Sequence, residues 1–349
     1  MAADADERDH IEEQAAESRL LATKVNRSLC AVVPADRRIV AAMRRLALVL
    51  VLVLAGTACA SARPRLALQD RVAALARAHH GQVALFARHL GTGATVELQP
   101  DREVKTASAI KLALLVEAFH QVKAGTLALT SPVTLRDGDK VAGSGILPLL
   151  HGGLELTVED ALVLMTTLSD NTATNLVIDR VGGAAAVNGR LAALGYRHTH
   201  LYKKVYVPAT EPMPADQKQF GLGKTTAREL GRLMESVARC ELDDPALCRR
   251  MLQMLRNQQA RYYVARYLET ADTTETPSAV AAKLGELDAA RIEVALVAAR
   301  SGPIVIAAFT WDNADQRYSP ENEAALLIAR LAEVIVREWS PAGIRTGEP

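Results

Sequence analysis

Apolar residues at Leu66, Leu68, Val72 and Leu75 fall on one helix face, so Leu66–Ala78 is predicted to be an amphipathic helix. Gln82–His89 and Ala94–Leu98 carry strand-like runs separated by Gly91-Thr92-Gly93, which predicts a hairpin. Leu112–Val122 is an apolar helix, and residues 125–225 carry mainly helical patterns. Within them Thr157-Val158-Glu159-Asp160 has the form of a capping box opening a helix over Val158–Leu168. Ser169-Asp170-Asn171 breaks that helix and starts another, Thr172–Val181, which Gly182-Gly183 ends. Leu201–Gly223, rich in Pro and Gly, reads as a long surface loop. Thr226 opens a helix reaching about Arg239, and Ala246–Gln258 is another.

Val280–Leu284, Ile292–Ala299 and Ile304–Trp311 are strands at hairpin spacing, with Ser301-Gly302-Pro303 as the last turn. Ser319-Pro320 then offers an N-cap and first helical residue for a closing helix, Glu321–Glu338. The order predicts an α/β (α+β) fold. Its five-stranded antiparallel sheet has the first and last helices on one face and is interrupted by an all-helical insertion. The sheet part would be residues 66–107 and 279–340, and the helical part about 108–278.

With 349 residues, 49% hydrophobic and 23% charged, the chain reads as a globular protein with a sizeable core. A net charge of +1 gives no argument for nucleic acid or acidic lipid as partner. The chain has no C-x-x-C, no H-E-x-x-H and no Gly-rich phosphate loop. His79-His80 and His198/His200 are its close His groupings and read as surface turns, so no metal or cofactor is expected.

Met43-Arg44-Arg45, the apolar run Leu46–Ala55 and the small-residue end Ala60-Ser61-Ala62 make a secretory signal over 43–62, with cleavage after Ala62. Residues 1–42 are polar and charged. Two readings stay open: translation starts at Met43 and 1–42 is a non-native extension, or 1–42 is a cytoplasmic tail and the apolar run a signal anchor. Cys59 stands in a lipoprotein-like setting, although Gly56 occupies a position where such boxes carry Leu; a membrane tether would require lipidation there. A mature chain, 63–349, keeps Cys240 and Cys248, an even pair in an oxidising compartment, the periplasm. They could bridge the turn at Asp243-Asp244-Pro245 or stay as free thiols.

Ser108 and Lys111, three residues apart at a helix start, share one face. A desolvated lysine there can act as base towards the serine hydroxyl. S-x-x-K alone is a weak signal, but Ser169-Asp170-Asn171 follows about sixty residues on, and Lys283-Leu284-Gly285 lies on the first strand after the helical part. Gly143-Ser144-Gly145 precedes the second motif. This ordered set, over roughly residues 66–340, resembles the penicillin-recognising serine hydrolases, most closely the class A β-lactamases.

The resemblance implies that Ser108 is acylated, that Lys111 takes its proton, and that Ser169 relays a proton towards the leaving nitrogen. It implies that Asn171 holds Lys111 and the substrate amide, and that Lys283 supplies positive potential. The N–H groups of Ser108 and Glu286, beside Gly285, would form the oxyanion hole, each donor worth on the order of 3 kcal/mol. Ser144 would border the substrate. Two features depart from the pattern. Leu284 stands where a Thr or Ser hydroxyl helps bind the substrate carboxylate, and Arg291 on the next strand is either a substitute anchor or a solvated strand arginine. The E-x-x-L-N segment that activates the deacylating water is missing; the loop offers Glu211 and Asp216 as carboxylates and Tyr206 as a phenol, with Glu211 either the candidate base or a solvated loop acid. Lys203-Lys204-Val205-Tyr206 resembles the basic-aromatic stretch of relatives lacking that Glu. The implied activity is β-lactam hydrolysis by an exported monomer, with a D-Ala-D-Ala peptidase or esterase acting slowly on β-lactams as the alternative. A pocket that only binds cell-wall peptide would have no need of a serine–lysine pair.

Overall fold

The computed structural model describes residues 66–209, 212–268 and 278–345; the 43–62 stretch and residues 1–42 lie outside the described residues. In chain order, α1 (Leu68–Arg77) leads into the hairpin β1 (Gln82–His89) and β2 (Thr95–Leu98), then β3 (Val104–Lys105). A 3-10 turn over Ala107–Ile110 runs directly into α2 (Lys111–Lys123). β4 (Pro132–Thr134) and β5 (Glu155–Thr157) form a small ribbon ahead of α3 (Val158–Thr167), α4 (Asn171–Arg180) and α5 (Gly183–Ala193). β6 (His200–Leu201), the short α6 (Gln217–Phe220) and β7 (Gly223–Thr225) precede α7 (Ala227–Ala238) and α8 (Pro245–Arg256). β8 (Val280–Leu287), β9 (Ala290–Val297), β10 (Ile304–Trp311) and α9 (Glu323–Trp339) close the fold.

The main sheet has five strands in the order β2-β1-β10-β9-β8, each pair antiparallel. It is buried on both faces, and its side chains alternate between two cores. Leu85, Ala295, Ile304 and Ile306 pack with Val72 of α1 and Ile328, Leu331 and Ile335 of α9, so the first and last helices do share a face. Phe86, Ile292, Val305 and Phe309 face the helical part. There α7 lies close to the sheet: a Cβ on Gly231 would come within 2.4 Å of the Phe86 ring. Lys111 to Phe119 of α2 are all buried, which makes α2 the centre of the helical part.

The structure revises several element ends. The closing helix is capped by Asn322, whose buried side chain accepts from Ala324 N and Ala325 N, while Ser319 only caps the Glu321 N–H. Asn322 prevails because its amide also donates to the Asp315 and Arg317 carbonyls, pinning the incoming chain. The third strand of the predicted trio begins at Ile304 as expected, but β8 continues through Gly285 to Leu287. The insertion holds the β4–β5 ribbon besides its helices, and the predicted loop over 201–223 is flanked by β6 and β7, with β7 pairing to β6 on one side and to β3 on the other.

Candidate active site

The nucleophile candidate sits in the 3-10 turn. That geometry eclipses residues three apart, so Ser108 and Lys111 lie over one another more closely than in an α-helix. Ala107 enters the turn with φ 43°. β8, an edge strand, runs against it: a Cβ at Gly285 would meet Thr106 O at 2.8 Å, Ala109 N at 2.9 Å and Ser108 N at 3.0 Å. Only glycine allows the two main chains to approach this closely.

Lys111 Nζ lies 2.7 Å from Ser169 O, 2.9 Å from Asn171 Oδ1 and 3.1 Å from Ser169 Oγ. Lys283 Nζ approaches the same Ser169 Oγ at 3.1 Å and donates to Leu284 O at 2.8 Å. One hydroxyl thus bridges two buried amines. Burial pushes the Lys111 amine well below its usual value, the Lys283 charge lowers it further, and Asp170 opposes. Burial lowers Lys283 to about 7, opposed by Glu293 and Glu286. A neutral Lys111 donates its two hydrogens to the two carbonyl oxygens and keeps a lone pair for a hydroxyl proton.

Asp170 holds this arrangement together and was not singled out from sequence. It is 0% exposed. Its Oδ1 accepts from Ala173 N at 2.8 Å, capping α4, and its Oδ2 accepts from Ile146 N at 2.7 Å and Leu147 N at 2.9 Å. The Gly143-Ser144-Gly145 loop is thereby fixed against α4; a Cβ on Gly145 would collide with the Asp170 carboxylate at 2.2 Å. Ser144 O accepts from Asn171 N at 2.9 Å, and Asn171 Nδ2 donates to Ala142 O at 3.1 Å. The available signal was N-cap chemistry: an Asp between a helix end and a helix start.

These residues border a cleft of about 660 Å³. Ser108, Ser169, Asn171 and Ser144 line its floor, Leu284, Glu286, Leu287 and Tyr318 one wall, and Lys203 to Tyr206 the other. Asn175, one turn after Asn171, pins that second wall by accepting from Val205 N at 2.8 Å and donating to Val205 O at 3.0 Å. Tyr206 is 69% exposed. Ala107, Ser169 and Tyr206, all on the cleft, are non-glycine residues with positive φ, 43°, 55° and 55°. Strain of this kind concentrates where function over-determines geometry.

A sequence profile described as the beta-lactamase enzyme family matches residues 67–339. The chain belongs to that family. A crystal structure of the beta-lactamase from Sphaerobacter thermophilus is 31% identical, covers 78% of this chain and 96% of its own, and superposes with a TM-score of 0.67. A point mutant of PBP-A, solved as an acyl-enzyme complex with penicillin G, is 24% identical at TM-score 0.65, covering 78% of this chain and 95% of its own. An ancestral class A beta-lactamase is 20% identical at TM-score 0.67, covering 78% and 100%. These last two likenesses speak for the fold alone, which is that of class A beta-lactamases. Beta-lactamase L2 of Stenotrophomonas maltophilia is 30% identical over 152 residues, 43% of this chain and 50% of the relative. The chain spans about half the length of the curated relatives it matches.

Set in this beta-lactamase-family fold, the predicted residues sort plainly. Ser108, Lys111, Ser169, Asn171 and Lys283 converge, with Ser144, Gly285 and Glu286 beside them. Arg291 is corrected: it is 0% exposed and is no substrate anchor. Its guanidinium donates to the carbonyls of Leu287, Asp288, Ala290, Gln316 and Arg317 and lies 4.7 Å from the Tyr318 ring centroid, so its donors are spent on tying the β8–β9 turn to the loop before α9. Leu284, 6% exposed, belongs to the core under α1 and α9. Glu211 lies outside the described residues. Cys240 and Cys248 are joined in a disulfide.

Proposed function

We propose that the chain is an exported serine hydrolase that opens β-lactam rings through an acyl-enzyme on Ser108. The observation that carries the reading is the single hydroxyl of Ser169 held between two buried amines next to Ser108. Neutral Lys111 takes the Ser108 proton as Oγ attacks the carbonyl. The developing oxyanion is received by the N–H groups of Ser108 and Glu286 on the close-packed turn and edge strand. Cleavage of the ring C–N bond returns the proton from Lys111 to nitrogen through Ser169. The signal pattern over 43–62 and the Cys240–Cys248 bridge support periplasmic export, with Cys59 as the lipid-anchored variant of that reading.

Among the described residues lining the cleft, Glu286 is the only carboxylate, and it stands on the β8 wall. The opposite wall offers lysines and a phenol. This favours a second reading in which acylation is fast and hydrolysis of the acyl-enzyme slow, as suits a penicillin-binding peptidase acting on D-Ala-D-Ala ends. Mixing residues 63–349 with a chromogenic cephalosporin, following colour and intact mass together, separates the two. Sustained colour release supports the hydrolase, and one burst with a lasting adduct supports the peptidase-like reading. In Ser108→Ala both signals should vanish; an adduct persisting there would sink the assignment of the nucleophile.

A further inference from the structure

The two walls of the cleft carry opposite charge. On the β8 wall, Glu286 Oε1 accepts from Tyr263 Oη at 2.5 Å and Tyr262 Oη at 3.3 Å. Tyr263 is fully buried, so the carboxylate is anchored in place rather than free to swing away. Both phenols donate, which leaves Glu286 an acceptor. Asp288, in the turn after β8 and not itself lining the cleft, accepts from the Oη of the cleft residue Tyr318 at 3.0 Å. The cations nearby are committed elsewhere: Arg291 faces main-chain carbonyls, and Lys283 is buried on Ser169 and the Leu284 carbonyl. Leu284 presents no donor. On the other wall Lys204 is matched by Asp179 at 2.5 Å, whereas Lys203 meets only the Val207 carbonyl at 3.2 Å among the described residues.

We propose that Glu286 is a specificity-determining residue, selecting acyl compounds that are uncharged or amine-bearing beside β8 and disfavouring those with a carboxylate there. The inference rests on the acylation of Ser108. An acyl carbon on Ser108 lies against Gly285, and Glu286 is one strand residue further on, about 3.4 Å along the chain. A charge two or three bonds from the scissile carbonyl therefore falls within about 5–8 Å of the Glu286 carboxylate. At that range, in a half-solvated cleft, one unit charge changes the acylation rate about fivefold. An anionic substituent is accommodated only towards Lys203, on the far wall.

The test uses one chromogenic cephalosporin in three forms: with its ring carboxylate, as the carboxamide, and as the aminoethyl amide. Acylation rates are read by stopped flow with the wild-type chain and Glu286→Gln. The expected wild-type order is aminoethyl amide, then carboxamide, then carboxylate, with about fivefold between the last two. Glu286→Gln is expected to close that gap and to remove the advantage of the amine. A carboxylate form that reacts fastest with the wild type, or rate ratios unmoved in Glu286→Gln, overturns the proposal. If Glu286→Gln does not fold, the wild-type order and its compression in high salt decide. A fluorophosphonate probe, uncharged beside the reacting atom, tests the nucleophile separately. Labelling of Ser108 without a charge preference overturns this inference alone, and no labelling overturns the acyl-enzyme reading beneath it.

Discussion

Removing Asp170 tests the architecture beneath the site. Its carboxylate satisfies three main-chain donors, Ile146 N, Leu147 N and Ala173 N, with no exposure to water. In Asp170→Ala the Ala173 N–H loses an N-cap, worth about 1 kcal/mol. Leu147 is buried, so its stranded N–H costs about 1–3 kcal/mol, and the Ile146 N–H, beside an exposed side chain, costs towards the lower end of that range. The sum is about 3–5 kcal/mol, or roughly 5–9 °C in Tm for a domain of this size. Asp170→Asn keeps one acceptor oxygen and should lose about half as much. It also removes a negative charge that holds the Lys111 amine up, so Lys111 should lose its proton at lower pH. Thermal melts and the pH dependence of Ser108 acylation read both effects. A Tm loss below about 2 °C in the Ala variant, or an acid limb that moves to higher pH in the Asn variant, would refute the reasoning.

Gly285→Ala forces a Cβ onto Thr106 O, Ala109 N and Ser108 N, all main chain, and is expected to lower the acylation rate by about a hundredfold, since the oxyanion donors move with it; a rate within about threefold of wild type would show that the approach has slack. Leu284→Thr is expected to tighten carboxylate-bearing β-lactams by several-fold while costing about 1–3 kcal/mol of packing in the core under α1 and α9, and unchanged affinity in titration would count against the account of that position. Glu293, buried on β9, has its carboxyl raised by burial from 4.5 to about 8, partly offset by the Val264 N–H and by Lys283. A carboxyl whose folded value is raised contributes stability that is full below about 4.5 and is lost as pH climbs through about 8. Wild type should therefore lose Tm relative to Glu293→Gln between about pH 4.5 and 8 and run level with it above that; parallel curves over the whole range would show that Glu293 is ionised throughout.

Where both faces of a strand are buried, sequence and structure agree closely, because near-continuous apolar runs such as Gln82–His89 and Ile304–Trp311 have no other use. The Thr157 capping box forms as read, since its reciprocal bonds need only local sequence. The ends that escaped are those decided by distant partners. Lys283-Leu284-Gly285-Glu286 breaks every apolar pattern, yet stays in β8 because each residue pairs across to β9 and Gly285 fits the Ser108 turn. β3, β6 and β7 are two or three residues each and exist only through one another. The role of Arg291 was equally hidden: a strand arginine reads the same whether it meets a ligand or five carbonyls, and only the fold brings Gln316 and Arg317 beneath it.

The two halves of the cleft obey different physics, and this bears on which step limits turnover. Ser108, Lys111, Ser169, Asn171 and Lys283 sit on the turn opening α2, the start of α4 and β8, elements whose own cores fix them, and Asp170 ties the loop facing them to α4. On the proposed reading acylation draws on these groups; Lys111, Asn171 and Lys283 are within hydrogen-bond reach of one another or of the Ser169 hydroxyl, and Ser108 lines the cleft beside them. Hydrolysis of the acyl-enzyme needs a water held and deprotonated on the open side, where Tyr206 is exposed and the wall is secured chiefly by Asn175. Lys111 is the base on which the proposed acylation draws, and it must return its proton to the leaving nitrogen before it can serve a water. Acylation and deacylation would then draw on one base in turn, and the slower of the two is the one for which the described residues supply no second.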